Sequence, residues 1–103
     1  MITQRRVFRA KPGASGAVVN KLKEFQPIVE RVGGPPRRIY TDLLSGETDR
    51  VVWEFDVDNL TALEAMTKSA TEDAEFRAAY EQWWAGLQPL IDGAVVELWS
   101  HAN

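Results

Sequence analysis

The sequence contains no cysteine and a single histidine, His101, two residues from its end. Without cysteine there can be no disulfide framework, no thiolate zinc module, no thiol nucleophile and no redox chemistry at sulfur. With one imidazole, a site built on two or more histidines would need two chains. No apolar run approaches the roughly 18–20 residues that cross a bilayer. No apolar signal core follows Met1-Ile2-Thr3-Gln4-Arg5-Arg6, so the chain reads as cytoplasmic with no membrane partner. A glycine-rich phosphate loop is missing too: Gly13-Ala14-Ser15-Gly16 lacks both the Lys-Ser/Thr of a nucleotide-binding loop and the third glycine of a dinucleotide fingerprint. It reads as a strand-to-helix turn. No Gly-x-Ser-x-Gly occurs, and a serine nucleophile would have only His101 as its base.

What remains is a chain of 103 residues, 45% apolar and 26% charged, which suits one folded domain over residues 1–103. The net charge of −3 hides a division. Residues 1–50 hold ten basic and five acidic side chains, whereas 51–103 hold two basic and ten acidic. One core must interleave these halves, so complementary strand and helix faces, within the fold or across a dimer, are expected. A nucleic-acid partner is not: the basic half is flanked by acid, and no RNA-binding motif is present.

The spacing of Thr3–Lys11 is that of a strand ending at the Pro12-Gly13 turn. Val18, Val19, Leu22, Phe25, Ile28, Val29 and Val32 then recur at helical intervals. Ser15 is the expected N-cap, Pro27 predicts a kink near Lys23 or a shortened helix, and Gly33-Gly34-Pro35-Pro36 is the stop. Arg37–Leu44 and Arg50–Val57 read as an antiparallel hairpin joined through Ser45–Asp49. Asp58-Asn59 offers a helix cap, with Thr61 and Glu64 as a capping box. That helix is expected to falter around Lys68–Thr71, restart at Glu72, Asp73 and Glu75, and close near Gly86, Pro89 and Gly93. Ala94–Ser100 makes a last strand. The order β-α-β-β-α-β predicts an α+β, ferredoxin-like domain, a four-stranded antiparallel sheet with two helices on one face.

Both faces of that sheet carry apolar groups. Val51, Trp53, Phe55 and Val57 alternate with Val52, Glu54 and Asp56. Ile39 and Thr41 oppose Arg38 and Tyr40, and Val95 and Trp99 oppose Ala94, Val96 and Leu98. Helices cover only one face, so the surplus predicts a homodimer.

Arg6-Val7-Phe8-Arg9-Ala10-Lys11-Pro12-Gly13 resembles the opening strand of NIPSNAP-like proteins. Val51–Phe55, Leu60–Met66, Asp73–Phe76 and the Tyr80/Trp83/Trp84 cluster resemble the rest of that pattern. The resemblance implies a dimeric α/β barrel with a pocket in each subunit. The wider superfamily includes cofactor-free monooxygenases, isomerases and haem-degrading enzymes. The haem-degrading members place an Asn on the first strand, a Trp late in the third and a His on the second helix. Here those regions hold Gln4 or Arg6, Phe55 and no helical histidine, so no haem, no other cofactor and no metal is expected.

The candidate ligand-binding residues are Arg6, Tyr40, Glu54, Trp53, Phe55 and Trp99, with Arg38, Asp42 and His101 as further polar groups. An arginine can hold an enolate or carboxylate, and burial can raise Glu54 towards a base's working range. The competing reading makes Arg6 and Glu54 a cross-strand ion pair and leaves Tyr40 and Trp99 as packing groups. Trp83-Trp84 is either core or the roof of a pocket. The expected function is binding of a small apolar or aromatic molecule in a barrel pocket. The alternative is a cofactor-independent monooxygenase or isomerase acting on an aromatic or polyketide-like substrate.

Overall fold

Alternation of side chains builds the sheet. In a computed structural model describing residues 1–103, β1 (Ile2–Ala10) lies between β3 (Arg50–Val57) and β4 (Ile91–Ser100), and β2 (Arg38–Thr41) pairs with β3 at the edge. All three pairings are antiparallel. The order β2-β3-β1-β4 is that of the ferredoxin-like fold, as the element sequence implied.

Helix α1 (Ser15–Arg31) buries Val18, Leu22, Phe25 and Val29 against β2, β3 and the third long helix. The expected cap is displaced by one residue and the helix is not shortened. Ala14, not Ser15, occupies the N-cap and makes no side-chain cap, and the helix runs on through Pro27. Pro27 is exposed, so the Lys23 carbonyl it leaves unpaired lies on the water side of the helix, where solvent can satisfy it. The stop is the expected one. Gly33, at φ 79°, donates to Glu30 O and Gly34 to Val29 O, a Schellman closure.

The second helical region is split in two, with the break placed later than expected. Helix α2 spans Leu60–Glu72 and α3 spans Ala74–Leu87, divided by Asp73 in extended backbone. Asp73 accepts from Phe76 N and so caps α3, while Asn59 accepts from Ala62 N and caps α2. The capping box predicted from Thr61 and Glu64 is therefore replaced by a single Asn59 cap. Helix α2 continues past the expected falter to Glu72, and Thr71 there turns its hydroxyl back to the carbonyls of Thr67 and Lys68.

The hairpin and last strand also differ from expectation. Strand β2 stops at Thr41, because Asp42 turns to accept from Ser45 N and the loop is tied to Arg50 through Ser45 O. Strand β4 begins three residues early, at Ile91, through an irregularity that pairs Ile91 with Ala10.

The core lies between sheet and helices, with Phe8, Val18, Leu22, Val51 and Leu87 fully buried. Trp83 belongs to it: its ring stacks on Phe25 at 4.3 Å and its indole donates to Lys21 O at 2.6 Å. The charge division becomes ion pairs between the two halves of the chain, Arg31 with Asp73 and Glu75, Arg5 with Glu54, and Arg38 with Glu54 and Asp56. No helix is long and apolar enough to cross a membrane.

Candidate functional site

Pairing register decides which candidates meet. Arg5 stands opposite Glu54 and Arg6 opposite Trp53, so adjacent arginines on β1 point to opposite faces of the sheet. The six predicted residues divide accordingly. Arg6, Trp53 and Phe55 face the helices, while Tyr40, Glu54 and Trp99 lie on the open face.

On the open face the expected Arg6–Glu54 pair does not form, because its place is taken by Arg5. Glu54 is 4% exposed and accepts from Arg5 Nε at 2.7 Å and Arg38 Nε at 2.9 Å. Burial pushes its carboxyl up, but the two guanidinium hydrogen bonds outweigh this and leave it below the usual value. A base with a raised pKa is thus not what Glu54 provides. Arg38 also grips Asp56 at 2.8 and 2.9 Å. Thr3 donates to the same carboxylate at 2.6 Å, and both contacts hold Asp56 well below the carboxylate range. His101 completes the chain, 2.6 Å from Thr3 Oγ1 and 3.8 Å from Asp56. Beside this network, Tyr40, Val52 and Trp99 line a depression of about 460 Å³ rimmed by Arg5, Asp42, Arg50 and Glu97.

Beneath the helices lies a different cavity. It holds about 220 Å³ between the sheet residues Gln4, Arg6, Trp53 and Phe55 and the inner sides of the helices. Phe25 and Val29 of α1 and Phe76 and Tyr80 of α3 form aromatic and aliphatic walls. Leu63, Met66 and Ala70 of α2, spaced by three and four residues, form its roof. An apolar stripe of this kind normally sinks into a core, yet no residue of α2 is fully buried. The helix spans a gap.

Arg37, just before β2, lines the same cleft. Its guanidinium lies over the rings of Phe55 at 4.3 Å and Trp53 at 5.2 Å. Its Nη1 donates to Pro35 O, while its Nε is buried without a partner. Burial, together with repulsion from Arg6, lowers Arg37 to about 10. Gly34 lets the chain turn here: a Cβ at that position would collide with the Val29 side chain. Arg37 was absent from the sequence-based site, although the alternation that places Ile39 and Thr41 toward the helices places Arg37 there as well. The lining contains no carboxylate and no imidazole.

With this geometry in view, the solved structures it resembles are informative. A NIPSNAP domain protein from Burkholderia xenovorans superposes with a TM-score of 0.80 over 100% of this chain and 96% of its own, at 16% identity. The chain has the NIPSNAP-type fold. A NIPSNAP family protein from Agrobacterium tumefaciens matches at 0.78 over 100% of this chain and 89% of its own, at 17% identity. A proposed antibiotic biosynthesis monooxygenase from Nitrosomonas europaea matches at 0.68 over the whole of both chains, at 12% identity. No family model matches the sequence, and no curated protein matches it. The NIPSNAP-type fold accounts for the sheet order and the helix placement. The cleft chemistry belongs to this chain's own residues.

Proposed function

We propose that the protein binds a small apolar or aromatic molecule in the cleft between its sheet and helices. The observation that carries this is the apolar stripe of α2, standing over a cavity of about 220 Å³ instead of closing onto the sheet. A protein cavity of about 150 Å³ accepts benzene, so a body of one or two fused rings is the size class that suits this one. The sequence-based alternative, a monooxygenase or isomerase, calls for a group that takes a proton from the substrate. Glu54 and His101 lie across the sheet from this cleft, whose lining holds no carboxylate or imidazole and offers only the phenol of Tyr80, a weak base at neutral pH. Binding is therefore the better-supported reading.

Titration with 2-naphthol tests it: one molecule is expected to bind per chain by calorimetry, and Ala70→Phe, which fills the space under α2, is expected to abolish the heat. No binding to the folded wild-type protein would end this reading.

We also propose that two copies pair through their open sheet faces. Val95 and Trp99 are 56% and 55% exposed there, and Tyr40 is 47% exposed. Val96 and Leu98, on the helix side of β4, are each 52% exposed, which extends the apolar surface around β4. Sedimentation at micromolar concentration is expected to give a species of twice the chain mass of 11.6 kDa, and a monomer at that concentration would refute the pairing.

A further inference from the structure

The walls of the cleft leave hydrogen-bond donors unused. Arg37 Nη1 is satisfied by Pro35 O at 3.0 Å, but Nε is buried with no acceptor and Nη2 makes no hydrogen bond within the chain. Nε and Nη2 form one planar edge of the guanidinium, the edge that matches the two oxygens of a carboxylate. The indole N–H of Trp53, a second lining residue, is also buried without an acceptor. Buried donors are nearly always paired, and each unpaired one costs free energy until an acceptor arrives. Arg6 adds a second cation, and no acidic side chain lines the cleft to neutralise either. Elsewhere in this protein the contrast is plain: Arg5, Arg31 and Arg38 all hold carboxylates of the chain itself.

We propose that the ligand of this cleft is an aromatic carboxylate, its carboxylate seated on the Nε–Nη2 edge of Arg37 beside Arg6 and its ring under Leu63 and Met66. This rests on the reading of the cleft as a binding site and adds the charge and the head group of its occupant. The geometry favours a carboxylate over a phosphate, since the free donors form a planar pair and the remaining lining is largely apolar. Arg37 is already held against Phe55 and Trp53, so little side-chain freedom is lost when the ligand binds. An anion seated there also offsets the burial and, secondarily, the Arg6 repulsion that together lower Arg37.

The test compares three probes with one ring system, 2-naphthoate, 2-naphthol and 2-naphthyl phosphate, by calorimetry at pH 7 and fixed salt. Naphthoate is expected to bind at least about tenfold more tightly than naphthol, the scale of one charge-assisted pair. It is also expected to bind more tightly than the phosphate. In Arg37→Gln the preference for naphthoate over naphthol should collapse to about unity, and a preference kept at the wild-type ratio would overturn the carboxylate seat on Arg37. Arg37→Lys should lose most of the preference too, because it keeps the charge but not the fork. Equal binding of naphthoate and naphthol overturns the carboxylate while leaving an apolar cleft. Tighter binding of the phosphate overturns the head group. Failure of all three overturns the cleft reading and this proposal together. The wild-type comparison decides the question even if an Arg37 variant does not fold.

Discussion

Trp83→Ala is expected to remove about 3–5 kcal/mol of stability, the cost typical of deleting a buried tryptophan. Trp83 is 5% exposed and sits among Phe25, Trp53 and Tyr80, with ring centroids 4.3, 5.7 and 5.7 Å away. Its loss leaves a void at the junction of α1, α3 and the sheet. The lost indole bond to Lys21 O adds little, since that carbonyl lies inside α1 and has a helical donor as well. For a chain of about 100 residues each kcal/mol lowers Tm by roughly 4–8 °C, so the variant should melt tens of degrees below wild type or fail to fold. Trp83→Phe, which keeps a ring on Phe25, should retain more than half of the lost stability. A drop of only a few degrees for Trp83→Ala in a calorimetric melt would contradict the central place of this cluster. The same rings serve two purposes. Phe25 and Trp53 are core residues on one side and cleft walls on the other, so a collapse at Trp83 should weaken probe binding as well.

The parts of the fold that were legible in the sequence are those governed by local chemistry or strict alternation. Gly33-Gly34 marked the end of α1 because only glycine adopts φ 79° there at no cost, and Asn59 marked the start of α2 because its side chain reaches the free amide of Ala62. Period-two spacing sets Trp53 and Phe55 on one face of β3 and Glu54 and Asp56 on the other, while which of the two faces the helices cover is decided only by the packing. What escaped depended on register and on pairs distant in sequence. Choosing Arg6 rather than Arg5 as the partner of Glu54 is an offset of one residue, and in a sheet one residue exchanges the faces. The Arg6–Glu54 pair and the Glu54 base therefore fail together. Gly93 read as a terminator, yet it is a strand residue that leaves room for the Arg9 guanidinium, a contact 84 positions away that no local pattern encodes. Arg37 is missed for another reason: as the first residue of the expected strand it reads as a charge at a strand end, and its contacts with Trp53 and Phe55 exist only once the sheet is assembled.

Glu54→Gln is expected to cost about 1–3 kcal/mol at neutral pH, less than the ~3–5 kcal/mol seen when a buried pair is broken and a buried charge is left behind. The difference lies in what is left over. Arg5 and Arg38 are 41% and 42% exposed at the side chain, so water can take over part of their solvation, and Arg38 keeps Asp56. The sign of the pH dependence follows from the direction of the shifts. Glu54 and Asp56 both titrate lower in the folded chain than in the unfolded one, so their stabilisation is complete above the unfolded carboxylate value of about 4 and is lost as pH falls through the folded values. Wild-type Tm should thus hold between pH 7 and 5 and fall below pH 4. Glu54→Gln should start lower at pH 7 and decline less steeply, since one of this network's two depressed carboxylates is gone and Asp56 remains. A variant as stable as wild type at pH 7, with an unchanged acid limb, would mean that the carboxylate held by Arg5 and Arg38 contributes no net stability. In that event the network on the open sheet face would have to be explained by what it presents to a second copy.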